Sequence, residues 1–239
     1  MRIAIVSDIH GNLTAFEAVL ADLRETAPDL IFHGGDLATS GASPAEIVDQ
    51  IRDLGWPGVV GNTDEMLWAP ESLNRIANQS PKMRPLFGAI QEIGMAASEA
   101  LGKERLGWMR SLPRAQKYGH MALVHASPED LWVAPGSNAP DEELESVYGP
   151  LGQAVAVYGH IHQSYIRKLP RVVVANTGSV SLSYDDDLRA SYLLLDDFQP
   201  AIRRVEYDIE REVRALSDSG LPHADWIAKL LRAGHFVMP

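Results

Sequence analysis

Short apolar runs alternate with helical periodicities along the first third of the chain. Arg2–Ser7 is a continuous run of strand length. Leu13, Phe16, Leu20 and Leu23 then recur at helical spacing, with Asn12 placed to cap the start and Pro28 beyond the end. Leu30-Ile31-Phe32 reads as a second strand. Ser43-Pro44-Ala45-Glu46 has the form of a capping box with proline at the first helical position, and Ile47, Val48, Ile51 and Leu54 follow on one face. Val59-Val60 reads as a third strand. This β-α-β-α-β order predicts a parallel sheet with helices packed on its faces.

Residues 65–117 break the alternation. They hold no convincing strand and are interrupted by Pro70, Pro81, Pro85 and Pro113, which predicts a helical insertion capping one end of the sheet. Strands resume at Met121–Val124, Ala154–Tyr158 and Val172–Ala175, with a helix expected over Asp141–Tyr148. Ala190–Leu195 and Ala201–Tyr207 flank a turn at residues 196–200. Two helices, near Ile209–Leu216 and Ala224–Arg232, complete the pattern. Parallel strands early and antiparallel strands late predict one α/β domain over residues 1–239, with two sheets and residues 65–117 as its cap.

Composition narrows the chemistry. At 239 residues and 46% hydrophobic, the chain can bury a core without covalent staples. Cysteine is absent, which removes disulfides, thiolate metal sites and cysteine nucleophiles together. The formal net charge of −11 disfavours a general nucleic-acid binder, which needs a basic surface to displace counterions. A small phosphorylated substrate remains open to it, given local positive charge. Apolar runs such as Val172–Ala175 fall far short of the ~20 residues of a membrane span, and residues 1–8 lack the features of a signal peptide. A cytoplasmic location without membrane attachment is expected. Walker, Rossmann, Gly-x-Ser-x-Gly and His-Glu-x-x-His signatures do not occur.

What ends each strand carries the chemistry. The runs finish in Asp8-Ile9-His10-Gly11, Gly34-Gly35-Asp36, Gly61-Asn62-Thr63-Asp64, His125, Gly159-His160-Ile161-His162 and Asn176-Thr177-Gly178-Ser179. In a parallel sheet the carboxyl ends of the strands share one edge, where ligands bind. Carboxylate, imidazole and amide oxygen are donors suited to divalent first-row metals. Asp8-x-His10 and His160-x-His162 would place paired donors on one side of an extended segment. Seven donors exceed one four-coordinate site and suit two ions sharing a carboxylate. His33, just before Gly34, and the cations Arg75, Lys82 and Arg84 are weaker candidates.

These motifs resemble the calcineurin-like metallophosphoesterase superfamily, closest to its small bacterial members. The resemblance covers nearly the whole chain. It implies a four-layer sandwich of two mixed β-sheets flanked by helices. It also implies a dinuclear centre of manganese, iron or zinc. Asp8, His10, Asp36 and His162 would hold one ion, and Asn62, His125 and His160 the other, with Asp36 bridging. The implied reaction is hydrolysis of phosphate esters, foremost phosphodiesters or nucleotide-type substrates, by hydroxide generated at the metals. Asn62 and Thr63 would contact substrate and Asp64 would act in catalysis. The protein phosphatases of the family have histidine after the asparagine, whereas Thr63 stands here, so the proton donor to the leaving group is unassigned. Alternatives are a protein or monoester phosphatase, a nuclease, and a non-catalytic scaffold of the kind the retromer subunit of this superfamily represents.

Overall fold

The computed structural model describes residues 1–79 and 81–239. Strand β1 (Arg2–Val6) is apolar on both faces, and that decides the layering. Side chains alternate along a strand, so Ile3 and Ile5 point into one apolar cluster while Ala4 and Val6 point into another. A strand with two buried faces must lie between layers.

The first sheet has the order β2 (Leu30–His33), β1, β8 (Ala190–Asp196), β9 (Gln199–Val205). β2 runs parallel to β1 and β8 antiparallel to it. The second sheet has the order β3 (Ala115–Tyr118), β4 (Met121–Val124), β5 (Val155–Tyr158), β7 (Val173–Asn176), β6 (Tyr165–Lys168). Its three central strands are parallel and its two edges antiparallel. Ile3, Ile5, Leu193 and Leu195 of the first sheet meet Leu123, Val155 and Val157 of the second. Each such fully buried side chain contributes ~1.5–3 kcal/mol of apolar burial.

Helices α1 (Leu13–Thr26) and α2 (Pro44–Leu54) cover the outer face of the first sheet, through Phe16, Val19, Ile47 and Ile51. α6 (Asp141–Tyr148) covers the second, through Leu144 and Tyr148. The result is the expected four-layer arrangement. The segment after residue 61 is helical, as α3 (Asn62–Glu65), α4 (Glu71–Gln79) and α5 (Arg84–Arg110), the last broken at Gly102. Two more helices, α7 (Ile209–Ser219) and α8 (Ala224–Ala233), pack against the start of α5. No helix among the described residues is long and apolar enough to cross a membrane.

Several local expectations change. Val59-Val60 is not a strand: only a single bridge from His33 to Gly58 extends the sheet there. β3 begins at Ala115, so the helical segment gives way to strand before residue 117; its Ala-Gln-Lys-Tyr sequence, largely exposed at an edge, carries no apolar run. Asn12 caps α1, accepting from the Ala15 amide at 2.9 Å, but the Ser43 side chain makes no cap bond and Pro44 alone starts α2. The β8–β9 turn is only two residues, because Asp197 and Phe198 both adopt left-handed backbone and Asp196 pairs with Gln199.

The first turn of α1 contains no acidic residue of its own. Glu212 of α7 supplies one across the fold, accepting from the Thr14 amide at 3.4 Å while almost fully buried. Burial raises its carboxyl above the ordinary range. Between the unfolded and the raised folded value, the native state binds the extra proton. That stabilisation is complete at lower pH and is lost as pH rises through the folded value. Glu212→Gln removes the titration. Thermal unfolding from weakly acidic to neutral pH should therefore show the wild-type midpoint falling relative to that of the variant.

Candidate metal centre

The parallel strands of both sheets release their chains toward a common point. β1 leads into Asp8 and His10, β2 into Asp36, β4 into His125, and β5 into His160 and His162; Asn62 opens α3. His162 Nε2 lies 3.2 Å from Asp8 Oδ1, and His10 Nε2 lies 3.8 Å from Asp36 Oδ2. His125 Nε2 is 3.5 Å from Asp36 Oδ2. The Asn62 amide oxygen sits 2.8 Å from His125 Nε2 and 2.9 Å from His160 Nδ1. Asp8, His10 and His162 form one group close enough to share a metal ion, and Asp8, Asp36 and His125 form another.

Three of the imidazoles are aimed by backbone carbonyls. The Nδ1–H groups of His10, His125 and His162 donate to the carbonyls of Thr39 (3.2 Å), Gly34 (2.8 Å) and Leu182 (2.6 Å). Each Nε2 is left facing the cluster, the arrangement that outer hydrogen bonds give to metal-ligating histidines. The Nε2 atoms of His10 and His162 then face one another at 3.2 Å. Two acceptors so placed repel unless a cation or proton lies between them. The donor set thus fits divalent cations.

The backbone is strained for this purpose. Asp8, His10, Asp36, His160 and His162 all have positive φ, between 50° and 67°. Non-glycine residues rarely adopt that region, and such outliers gather at functional sites. The paired motifs are therefore not extended segments; left-handed turns, rather than strand alternation, bring both members of each pair inward. Gly61 and Gly159 let the chain pass directly against Asp36 and Asp8, where a Cβ would overlap the carboxylates.

Burial by itself protonates carboxylates and neutralises imidazoles. His10 and His160 follow it and fall to about 4. The aspartates do not. Burial opposes their charge, but His162 holds the Asp8 carboxyl below the usual range, and His125 does so for Asp36. Against its own burial, His125 is driven up to about 10, chiefly by Asp36. Asp36 and His125 thus form a buried ion pair within this pocket.

The sequence profile of the calcineurin-like phosphoesterase superfamily domain matches residues 1–197. The chain belongs to the calcineurin-like phosphoesterase superfamily. By membership it is a phosphoesterase, a hydrolase. An uncharacterized protein of Methanocaldococcus jannaschii is 30% identical over 97% of this chain and 98% of its own. A probable cyclic nucleotide phosphodiesterase of Synechococcus is 27% identical over 70% of this chain and 75% of its own. The crystal structure of a metallophosphoesterase from Sphaerobacter thermophilus is similar at TM-score 0.78 and 26% identity, covering 98% of this chain and 99% of that one.

Other expected residues of this phosphoesterase sit differently. Asp64 is fully buried and does not line the cavity over the donors; one oxygen accepts from the Asp36 and Gly61 amides and the other from the Leu37 amide. Burial, then the charge of Asp36, pushes its carboxyl up to about 7. The carboxylate is turned toward the Asp36 loop, its oxygens taken up by three backbone amides. Thr63 does face the cavity, its amide donating to Asp36 Oδ1 at 2.9 Å and its hydroxyl accepting from Thr39 at 2.8 Å. His33 is buried beside Trp108, away from the cluster, with neither ring nitrogen partnered. Arg75 is paired with Asp130 at 2.8 Å. Neither Lys82 nor Arg84 lines the cavity.

Sequence reasoning reached only part of the outer support, the turn that ends at Ser179. The Ser7 hydroxyl donates to Asp8, and Ser179 donates to the Asp8 carbonyl at 2.8 Å while accepting from the Ser181 and Leu182 amides. The Asn-x-Gly-Ser turn was the available signal for Ser179. Tyr184 stacks on His162 with ring centres 4.7 Å apart, and no motif marked it. Gly61→Ala should push the Asp36 carboxylate aside and weaken Mn²⁺ binding ~10–100-fold. Calorimetric titration of the metal-free protein measures this, with circular dichroism checking that the fold survives.

Proposed function

We propose that the protein hydrolyses phosphate esters, foremost phosphodiesters or nucleotide-type esters, with two divalent ions held among its seven converging donors. The observation that carries this is the aim of three imidazole Nε2 atoms at two buried carboxylates, with every Nδ1 of the three anchored on a carbonyl. Asp8, His10, Asp36 and His162 would hold the first ion. Asn62, His125 and His160 would complete the second, with Asp36 as the shared ligand. Manganese, iron and zinc all suit this oxygen and nitrogen set. When bound, such ions supply Lewis acidity and activate water near neutral pH. The Synechococcus relative's name, a probable cyclic nucleotide phosphodiesterase, supports the phosphodiester reading. The substrate is small and phosphorylated, and the setting is the cytoplasm.

Within this reading residues 1–239 act as one domain and residues 65–117 as its cap. Asn62 and Thr63, at the cavity floor, contact the substrate. Asp64 holds the loop that presents Asp36. Thr63 cannot give up a proton near neutral pH, so the chain offers no acid there and favours esters whose leaving group needs none. The scaffold alternative would leave seven intact donors and their backbone supports without a task.

Asp36→Asn keeps the shape and removes one charge from the shared position. Metal content by elemental analysis and hydrolysis of bis(4-nitrophenyl) phosphate should fall together, by about two orders of magnitude or more; a fully loaded and active variant would refute the shared role. Thr63→His restores an acid at the cavity edge. It should raise kcat on alkyl monoesters relative to 4-nitrophenyl esters, and an unchanged ratio speaks against the leaving-group account.

A further inference from the structure

Five of the seven donors, His10, Asp36, Asn62, His160 and His162, form the floor of a cavity of ≈ 180 Å³. Its roof is apolar. Helix α5 contributes Leu86, Ile90 and Ile93, and α8 contributes Trp226, Ile227 and Leu230. Past α8, the Trp226 indole donates to the Val237 carbonyl at 2.7 Å and so fixes the tail. Phe236 is thereby set edge-on against Tyr184, with ring centres 5.8 Å apart, and Tyr184 in turn stacks on His162. An aromatic chain therefore runs from the tail to the donor cluster. Among the described residues, no lysine or arginine lines this cavity. The roof elements α8 and Phe236 also lie beyond the family-matched residues 1–197.

From this arrangement we propose that the ester carries a single phosphoryl group and a small, uncharged, apolar alcohol group that packs against the α5–α8 roof, with Ile90 and Phe236 as specificity-determining residues. The inference rests on the phosphoesterase reading above and narrows it. The polar floor can take one phosphoryl group. A second phosphate or a carboxylate would be buried against Ile90, Ile93 and Ile227 with no lysine or arginine to pair with, which is costly. Size acts in the same direction, since pockets for drug-sized ligands span ~300–1,000 Å³. A small alcohol is therefore favoured over a nucleoside beneath this roof. Polyphosphate chains, which need arginine or lysine along their length, find none here.

The test holds the leaving group constant. The Mn²⁺-loaded full chain is assayed on 4-nitrophenyl phosphodiesters whose other alcohol is propyl, phenyl, 2-carboxyethyl or thymidine. The propyl and phenyl esters should exceed the carboxyethyl and thymidine esters in kcat/KM by about tenfold or more. Phe236→Ala should narrow the gap to the thymidine ester, and Ile90→Arg the gap to the carboxyethyl ester. Equal use of all four esters, or variants that leave these ratios unchanged, overturns the proposal. A second readout needs no turnover: phenylphosphonate should quench tryptophan fluorescence more tightly than 2-carboxyethylphosphonate, and Trp226→Phe should remove that quench. If no ester is cleaved, the phosphoesterase reading fails, and the fluorescence comparison alone decides the apolar pocket. Equal binding of the two phosphonates then overturns it.

Discussion

Two buried carboxylates, Asp8 and Asp36, govern this structure. Neither can be ionised in such a site without positive charge beside it, and the imidazoles are the nearest available source. Satisfying them requires loops from both sheets to arrive at one place. That requirement explains otherwise separate features: left-handed backbone at residues that resist it, glycines pressed against carboxylates, and imidazoles pinned by carbonyls of distant loops. The sandwich is the frame that holds these loops in register. Its inter-sheet core of Ile3, Ile5, Leu193 and Val157 fixes how close the two sets of strand ends come.

The donor loops were legible in the sequence because chemistry and topology coincide there. Each potential ligand except Asn62 follows an apolar run of strand length, so a reader who expects parallel strands also expects their ends to meet. Asp8, His10, Asp36, Asn62, His125, His160 and His162 could be placed at one site before any coordinates. The local reason for their aim could not. Alternation in an extended segment suggested that Asp8 and His10 share a side, yet both sit in turns whose φ values no periodicity reveals.

Other parts were illegible for physical reasons. β3 and β6 are short, half-polar edge strands, and edges need no continuous apolar run. Asp64 looked catalytic because it stands two residues from Asn62. Its burial and its three backbone amides follow from a turn that only the fold defines. The roof over the donors is assembled from α5 and α8, which lie more than a hundred residues apart. Their apolar faces read as ordinary core stripes in the sequence.

Because α8 and its tail are remote in the chain from every donor loop, the machinery and its ceiling belong to different stretches of the polypeptide. In the proposed reading, changes in α8 would reshape what is admitted, while the donor loops keep their own backbone supports. Selectivity in that reading would be modular, open to exchange by grafting a different C-terminal segment onto an unaltered sandwich.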